Sequence, residues 1–321
     1  MIFVNGRAMV RALVLVLIFS SAGCHSDGIT GGAGTWTPGL ATHDVAIGGL
    51  TRHYLLHVPD KRPTTSVGVV RAYSLVIVLH GSSGSADDIR QSTGMDALAD
   101  SGRFLVAYPQ GIRGAGGLFP SDWNGGACCG AAARENIDDV GFIAALITQV
   151  GAKLALDKRR VYVAGFSNGG RMAHRLACEL SATIAAIAVV SGSLKDDNCA
   201  PAKPVSLVAI HGTDDAEVPF DDEALTAPPT TLTGVAATLP PSVKFWIAVN
   251  GCGAATKSPF AMDVVRTTLS TCTGTEVVFY AIQGGTHAWP GESGGAGSQP
   301  PMSELRASSI ISQFFARQIR R

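Results

Sequence analysis

The chain carries no surplus charge of either sign. Its 25 Lys+Arg balance 25 Asp+Glu over 321 residues, so the formal charge is zero. With no long basic run either, neither a nucleic acid nor an acidic polymer is expected as a partner. Internal repeats and low-complexity tracts are also missing. The 38 Gly and 16 Pro are spread along the chain and mark turns between periodic segments. Among the seven Cys there is no C-x-x-C spacing, so a metal site is not expected. Only one continuous apolar run lies near a terminus, and it is too short to span a bilayer.

That run, residues 12–19, follows Arg7 and Arg11 and precedes the small residues Ser20, Ser21, Ala22 and Gly23. The pattern predicts a signal peptide over residues 1–23 and hence export. Two cleavage patterns compete. Ser20-Ser21-Ala22 obeys the small-x-small rule of ordinary secretion. Ser21-Ala22-Gly23-Cys24 resembles a lipoprotein box, with Ser21 where an aliphatic residue is usual. The odd number of cysteines favours lipidation of Cys24, because six then remain to pair in an oxidising compartment. Membrane contact is expected only through that lipid. Residues 24–41, polar and rich in Gly and Thr, predict a flexible tether, and 42–321 one large domain.

Within that domain short β-like runs alternate with helical stretches, which predicts an α/β fold with a mostly parallel sheet. Strands are expected at residues 43–47, 53–58, 75–79, 104–108, 161–165, 184–190, 205–210 and 277–282. Runs such as LVIVL and AAIAVV are apolar without alternation, as strands covered on both faces require. Helices are expected at 138–156, 169–180, 243–249 and 302–319. Residues 111–136 and 216–241 are too long for ordinary connections and predict functional loops.

Gly165-Phe166-Ser167-Asn168-Gly169 is the central chemical signal. Alone the G-x-S-x-G pattern is weak, and it recurs at Gly291-Glu292-Ser293-Gly294-Gly295. Context separates the two. Ser293 lies in a Gly-rich loop with no strand before it, whereas Ser167 follows VYVAG and opens the helix GGRMAHRLACEL. Strand–turn–helix placement is what a nucleophile elbow requires. Such a serine needs a positioned base. Of eight His, only His287, in GGTHAWPG after the last strand, fits the chain order Ser, acid, His of an α/β-hydrolase. His80 and His211 each end a strand in a His-Gly pair, where a structural hydrogen bond is expected. His174 is expected on a solvent or packing face of its helix. The acid should follow a strand between Ser167 and His287, and VSLVAIHGTDDAEVP offers Asp214 and Asp215, with Asp263 a distant third. Oxyanion donors are expected from the N–H groups of Ser82, after LVIVLHG, and Asn168.

LHGSSGSADD, AYPQG, WNGGACCG, NIDDVGFI, VYVAGFSNGGRMAHRLACE, HGTDDAEVP, a Trp followed by NGC, and GGTHAWPG occur in this order. Together they resemble the polyhydroxybutyrate depolymerase/feruloyl esterase group of α/β-hydrolases over roughly residues 45–315. The resemblance implies a serine esterase, many members being secreted or lipoproteins, that acts without a cofactor on an ester substrate, polymeric or small. It implies Ser167 as nucleophile, His287 as base and Asp215 as acid, the fifth residue of HGTxDxxVP. Asp214 departs from the pattern, and its extra negative charge is expected to raise the pKa of the acid–base pair.

Cys252 and Cys272 flank a short strand region and are expected to pair. Cys128, Cys129, Cys178 and Cys199 leave three connectivities, with the vicinal pair not expected to bond to itself. Trp123 and Trp289 lie beside expected cleft loops, where they either stack on an aromatic acyl group or pack the rim. Two rival functions stay open. A serine amidase or peptidase on this fold is distinguished by its amide-to-ester turnover ratio. A non-catalytic surface lipoprotein predicts a missing triad member, and none is missing.

Overall fold

The computed structural model describes residues 36–114, 121–128, 130–196, 198–222, 231–269, 272–291 and 305–321. The expected signal peptide, Cys24, Cys129 and Ser293 lie outside them. The strands are β1 (Gly39–Ile47), β2 (Leu50–Val58), β3 (Tyr73–Leu79), β4 (Leu105–Pro109), β5 (Ile112–Arg113), β6 (Ser121–Asp122), β7 (Leu156–Phe166), β8 (Ala186–Val190), β9 (Ser206–Gly212), β10 (Ala255–Ala261), β11 (Val264–Leu269) and β12 (Val277–Ile282). The helices are α1 (Ala86–Thr93), α2 (Met95–Gly102), α3 (Gly130–Arg134), α4 (Asp139–Lys153), α5 (Asn168–Glu179), α6 (Gly234–Ala237), α7 (Pro241–Val249) and α8 (Ala307–Arg317).

Ten strands form one sheet in the order β1-β2-β4-β3-β7-β8-β9-β12-β11-β10. The six central strands, β4 to β12 in that order, are parallel, and an antiparallel pair closes each edge. This is the doubly covered α/β architecture expected of an α/β-hydrolase. The apolar runs have a direct cause. Along β3, Leu75, Ile77 and Leu79 enter one core with Phe142 and Leu146 of α4, Met172 and Leu176 of α5 and Trp246 of α7. Val76 and Val78 enter the other with Ile89 of α1, Met95 of α2 and Phe314 and Phe315 of α8. A strand buried on both faces has no reason to alternate polarity.

Local signals set the helix starts. Ser85 caps α1, its Oγ accepting from the Asp88 N–H at 3.1 Å, and Asp138 caps α4 by accepting from the Gly141 N–H at 2.7 Å. The sequence expectations need three corrections. β1 begins at Gly39, inside the stretch expected as tether, and Trp36 just before it stacks on His43. Residues 111–136 hold β5, β6 and α3, and residues 216–241 hold α6, so neither stretch is wholly irregular. Where only a short strand region was expected between Cys252 and Cys272, the chain forms the two-stranded β10–β11 hairpin. Its sequences, ATKSPFA and VVRTTL, mix polar residues with a proline that only an edge strand tolerates. Cys252 bonds to Cys272 around this hairpin, and Cys178 bonds to Cys199.

Candidate active site

Six parallel strands end on the same side of the sheet, where ligands bind in open α/β folds. Register aligns those ends: Leu79 pairs Gly165, Phe166 pairs Val190, Val190 pairs Ile210, and Gly212 pairs Ile282. The segments that follow, holding His80 to Ser82, Ser167, Asp215 and His287, are therefore neighbours in space.

Ser167 makes the turn from β7 into α5 with φ 55° and ψ −119°. A positive φ at a residue other than glycine costs on the order of 1–3 kcal/mol and persists only where its surroundings hold it. Here the Ser167 N–H donates to Val190 O at 3.0 Å, and Ser167 O accepts from the Arg171 N–H at 3.1 Å. The flanking glycines are demanded by close approach. A Cβ on Gly165 would overlap the Gly169 carbonyl, and one on Gly169 would lie 2.5 Å from the carbonyl oxygens of both Leu79 and His80. Gly81 sits against the serine itself, since a Cβ there would lie 3.2 Å from Ser167 Cβ.

Asp215 and His287 arrive on loops stitched together beyond β9 and β12. Thr213 N–H donates to Ile282 O and Asp214 N–H to Gly285 O, both at 2.9 Å. His287 Nδ1 then lies 3.0 and 2.8 Å from the two Asp215 carboxylate oxygens. The Asp215 side chain is fully buried and also accepts from the N–H groups of Glu217 at 3.0 Å and Val218 at 2.9 Å. His211 Nε2 donates to Val218 O at 2.8 Å and lies 3.4 Å from Asp215 Oδ2. Burial pushes the Asp215 carboxyl up, but the bonds from His211, His287 and the Val218 N–H outweigh it and hold the group well below the usual carboxylate range.

Asp214, by contrast, is exposed and accepts from Thr213 Oγ1 at 3.0 Å. The two aspartates that sequence could barely separate are thus separated by burial. The expectation that Asp214 raises the pKa of the acid–base pair is corrected at Asp215, whose hydrogen-bond donors dominate and hold its carboxyl low. The imidazole of His287 packs beside the Phe166 ring, centroids 4.9 Å apart. Among the described residues no hydrogen bond joins Ser167 Oγ to His287. Such bonds are often long in unliganded sites and tighten on substrate.

The loop after β3 is fixed by His80. Its Nε2 accepts from the Gly111 N–H at 2.9 Å, which places the proton on Nδ1, and Nδ1 donates to Gly81 O at 2.7 Å. Burial pushes the His80 pKa down to about 4, so the ring is neutral near pH 7. Gly81 C=O and Ser82 N–H belong to one planar peptide unit, so holding the carbonyl also aims the N–H. Neither the Ser82 nor the Asn168 N–H meets an acceptor among the described residues.

The Asn168 side chain has a second task that sequence did not reveal. It accepts from Trp123 N at 2.7 Å and donates to Trp123 O at 3.2 Å. The Trp123 indole N–H donates to His80 O at 2.9 Å. Next along the chain, Asn124 N–H donates to Asp139 at 2.8 Å, and Asp139 pairs with Arg52 at 2.7 Å in the interior. Trp123 is fully buried, so of the two alternatives expected for it the stacking on substrate is corrected and packing holds: the ring braces the loop after β3. Trp289 is corrected likewise, for it is 5% exposed and its indole N–H donates to Ser308 of α8 at 3.0 Å. His174 is buried in the core and accepts from the Trp246 indole at 2.9 Å. Among the described residues no three His, Cys, Asp or Glu side chains converge as a metal site would need.

Comparison with known proteins gives a consistent relationship. Residues 61–222 match the model of a family described as esterase PHB depolymerase, a span that includes Ser82, Ser167 and Asp215 and stops short of His287. A putative esterase, NocK, of Nocardia uniformis subsp. tsuyamanensis is 29% identical over 77% of this chain and 73% of its own. Feruloyl esterase B of Piromyces equi is 29% identical over 68% of this chain, which spans 40% of that protein. Among solved structures, an acetyl xylan esterase from Aspergillus awamori superposes with a TM-score of 0.60 at 14% identity, covering 86% of this chain and 99% of the other. At that identity it shows a shared fold.

Proposed function

The chain belongs to the esterase PHB depolymerase family and is a serine carboxylesterase, and on that premise we propose that Ser167, His287 and Asp215 form its catalytic triad. The observation that carries this is the buried Asp215 clasping His287 Nδ1 at 2.8 Å, beside the elbow on which Ser167 adopts φ 55°. Asp215 stays anionic and keeps the His287 proton on Nδ1, leaving Nε2 to take a proton from Ser167 Oγ.

Ser167 Oγ attacks the ester carbonyl carbon. The tetrahedral oxyanion lies against the Ser82 and Asn168 N–H groups, aimed by His80 and by the first turn of α5. His287 hands its proton to the departing alcohol as the C–O bond breaks. A water, deprotonated by His287, then attacks the acyl-Ser167 ester and releases the carboxylic acid. The balance is one ester and one water in, one alcohol and one acid out. No cofactor enters any step.

The substrate we propose is a feruloyl or acetyl ester on a polysaccharide, with short hydroxyalkanoate polyesters as the other class. Relatives named feruloyl esterase support the first, and the family's description supports the second. We place the enzyme outside the cytoplasm, processed after residue 23 and lipidated on Cys24. No described helix is long and apolar enough to cross a membrane. The test is hydrolysis of p-nitrophenyl butyrate, methyl ferulate, acetylated xylan and a polyhydroxybutyrate suspension by wild type and Ser167→Ala. Cleavage of at least one ester, lost by several orders of magnitude in Ser167→Ala, is expected, and the preferred substrate names the class. A folded Ser167→Ala that retains wild-type turnover overturns the assignment of the nucleophile.

A further inference from the structure

A zero formal charge over the chain leaves room for a local cluster of one sign. All the catalytic groups lie beyond the C-terminal ends of the parallel strands, and a second feature lies at the opposite end. Residues 59–72 leave the end of β2 and enter β3 at Tyr73, so they turn at that opposite end. There the connection folds into a small hooked loop. Thr64 bridges Val70, and Gly68 N–H donates to Thr65 O at 3.0 Å.

The tip of this loop is apolar and bare. Val67 is 82% exposed, Val69 60% and Val70 56%. Valine contributes nothing to solubility when projected from a loop, and three on one tip form a compact apolar prong. Cations surround it. Lys61, Arg62 and Arg71 are exposed on the same loop. Behind them a cavity of about 540 Å³ is lined by Arg71, Arg103, Arg159, Arg160 and Ile319, which brings the start of β7 and the end of the chain against the loop. Residues 158–160 read Lys-Arg-Arg. Three carboxylates, Asp60, Asp100 and Asp157, share the region with these seven cations; Asp100 lies 2.8 Å from His57 Nε2, and Asp157 stands 3.8 Å from both Arg159 and Arg160. Arg71 and Arg62 form no ion pair among the described residues.

We propose that this end of the molecule is a docking surface for an anionic phospholipid membrane. An exposed aliphatic prong ringed by basic side chains is the pattern by which a peripheral protein seats itself. The apolar tip enters the headgroup boundary and the cations meet lipid phosphates. Seating this surface on a bilayer turns the Ser167 side of the sheet away from it, towards substrate. The inference goes beyond the esterase assignment and stands or falls separately from it.

The test uses the processed chain from residue 24 with Cys24→Ser, so that no lipid anchors it. Co-sedimentation is measured with vesicles of phosphatidylcholine alone and with a third of phosphatidylglycerol. Binding to the anionic vesicles is expected, weakening as salt is raised. Arg71→Glu with Arg159→Glu should lower the partition coefficient at least about 20-fold, at roughly fivefold per lost cation. Val67→Ser with Val69→Ser should lower it severalfold at unchanged charge. Both variants should keep their melting temperature and their turnover of p-nitrophenyl butyrate, because none of these residues touches the catalytic groups. The proposal is overturned if anionic vesicles bind no better than neutral ones, or if the glutamate variant binds as wild type does. It is also overturned if polygalacturonate competes fully and the serine variant is unaffected, for the surface would then recognise a soluble polyanion.

Discussion

Acidification should destabilise this enzyme well above the range where carboxylates titrate, because two histidines are held neutral in its interior. Burial pushes His80 down to about 4 and His174 down to about 3, against 6.5 for an exposed imidazole. His174 Nδ1 accepts the Trp246 indole N–H, and His80 Nε2 accepts the Gly111 N–H, so protonating either ring sets one N–H against another. Both folded pKa values are depressed. Stability is therefore complete above pH 6.5 and falls as the pH drops from 6.5 towards 4, where the unfolded chain binds protons that the folded one refuses. Between pH 7 and pH 5 each histidine costs about 2 kcal/mol, together about 4 kcal/mol, from 1.36 kcal/mol per pKa unit. For a domain of this size that lowers Tm by ~7 °C. Burial raises the Asp139 carboxyl despite Arg52, and proton uptake there works in the opposite direction. The assay is thermal unfolding by circular dichroism at constant ionic strength from pH 8 to pH 5, for wild type and His174→Asn. The asparagine can still accept from Trp246, so the variant should show about half the wild-type fall in Tm. An unchanged Tm between pH 7 and pH 5, or an identical slope in the variant, would refute the reasoning.

Two further outcomes are expected. Asp215→Asn should lower kcat by about 10⁴ with the fold intact, since the amide no longer holds the His287 tautomer, whereas Asp214→Asn should change kcat less than about twofold; steady-state ester hydrolysis separates them. Removing the Cys252–Cys272 bond, which closes a separation of 20 residues, with paired serine substitutions should cost about 3 kcal/mol and ~5 °C in Tm, measured by calorimetry, without altering turnover of the folded enzyme.

Much of the catalytic end was legible in the sequence because its constraints are local. The elbow needs small residues two positions either side of Ser167 for reasons of contact distance, and these leave a readable pattern. His287 was singled out by chain order, and the parallel strands followed from apolar runs that alternate nothing. The β10–β11 hairpin was not legible, since edge strands with one wet face carry no such run. Nor was the fate of the tryptophans: both stand near catalytic segments in sequence, yet their indole N–H groups are spent on His80 O and Ser308, which turns the rings inward.

By itself, then, the sequence determined the strand–turn–helix around Ser167, the chain order Ser167, Asp215, His287 that the proposed triad follows, and a sheet buried on both faces. Local residue chemistry left Asp214 and Asp215 alike, and tertiary structure distinguishes them by burial. Adjacent residues in a turn share every local preference, and only the loop stitched to residues 282–285 buries one of them against His287 and His211. It also decided where charge accumulates. Lys61, Arg71, Arg103 and Arg159 are scattered over a hundred residues of a neutral chain, and they become one surface only because a parallel sheet gathers the starts of its strands at one end.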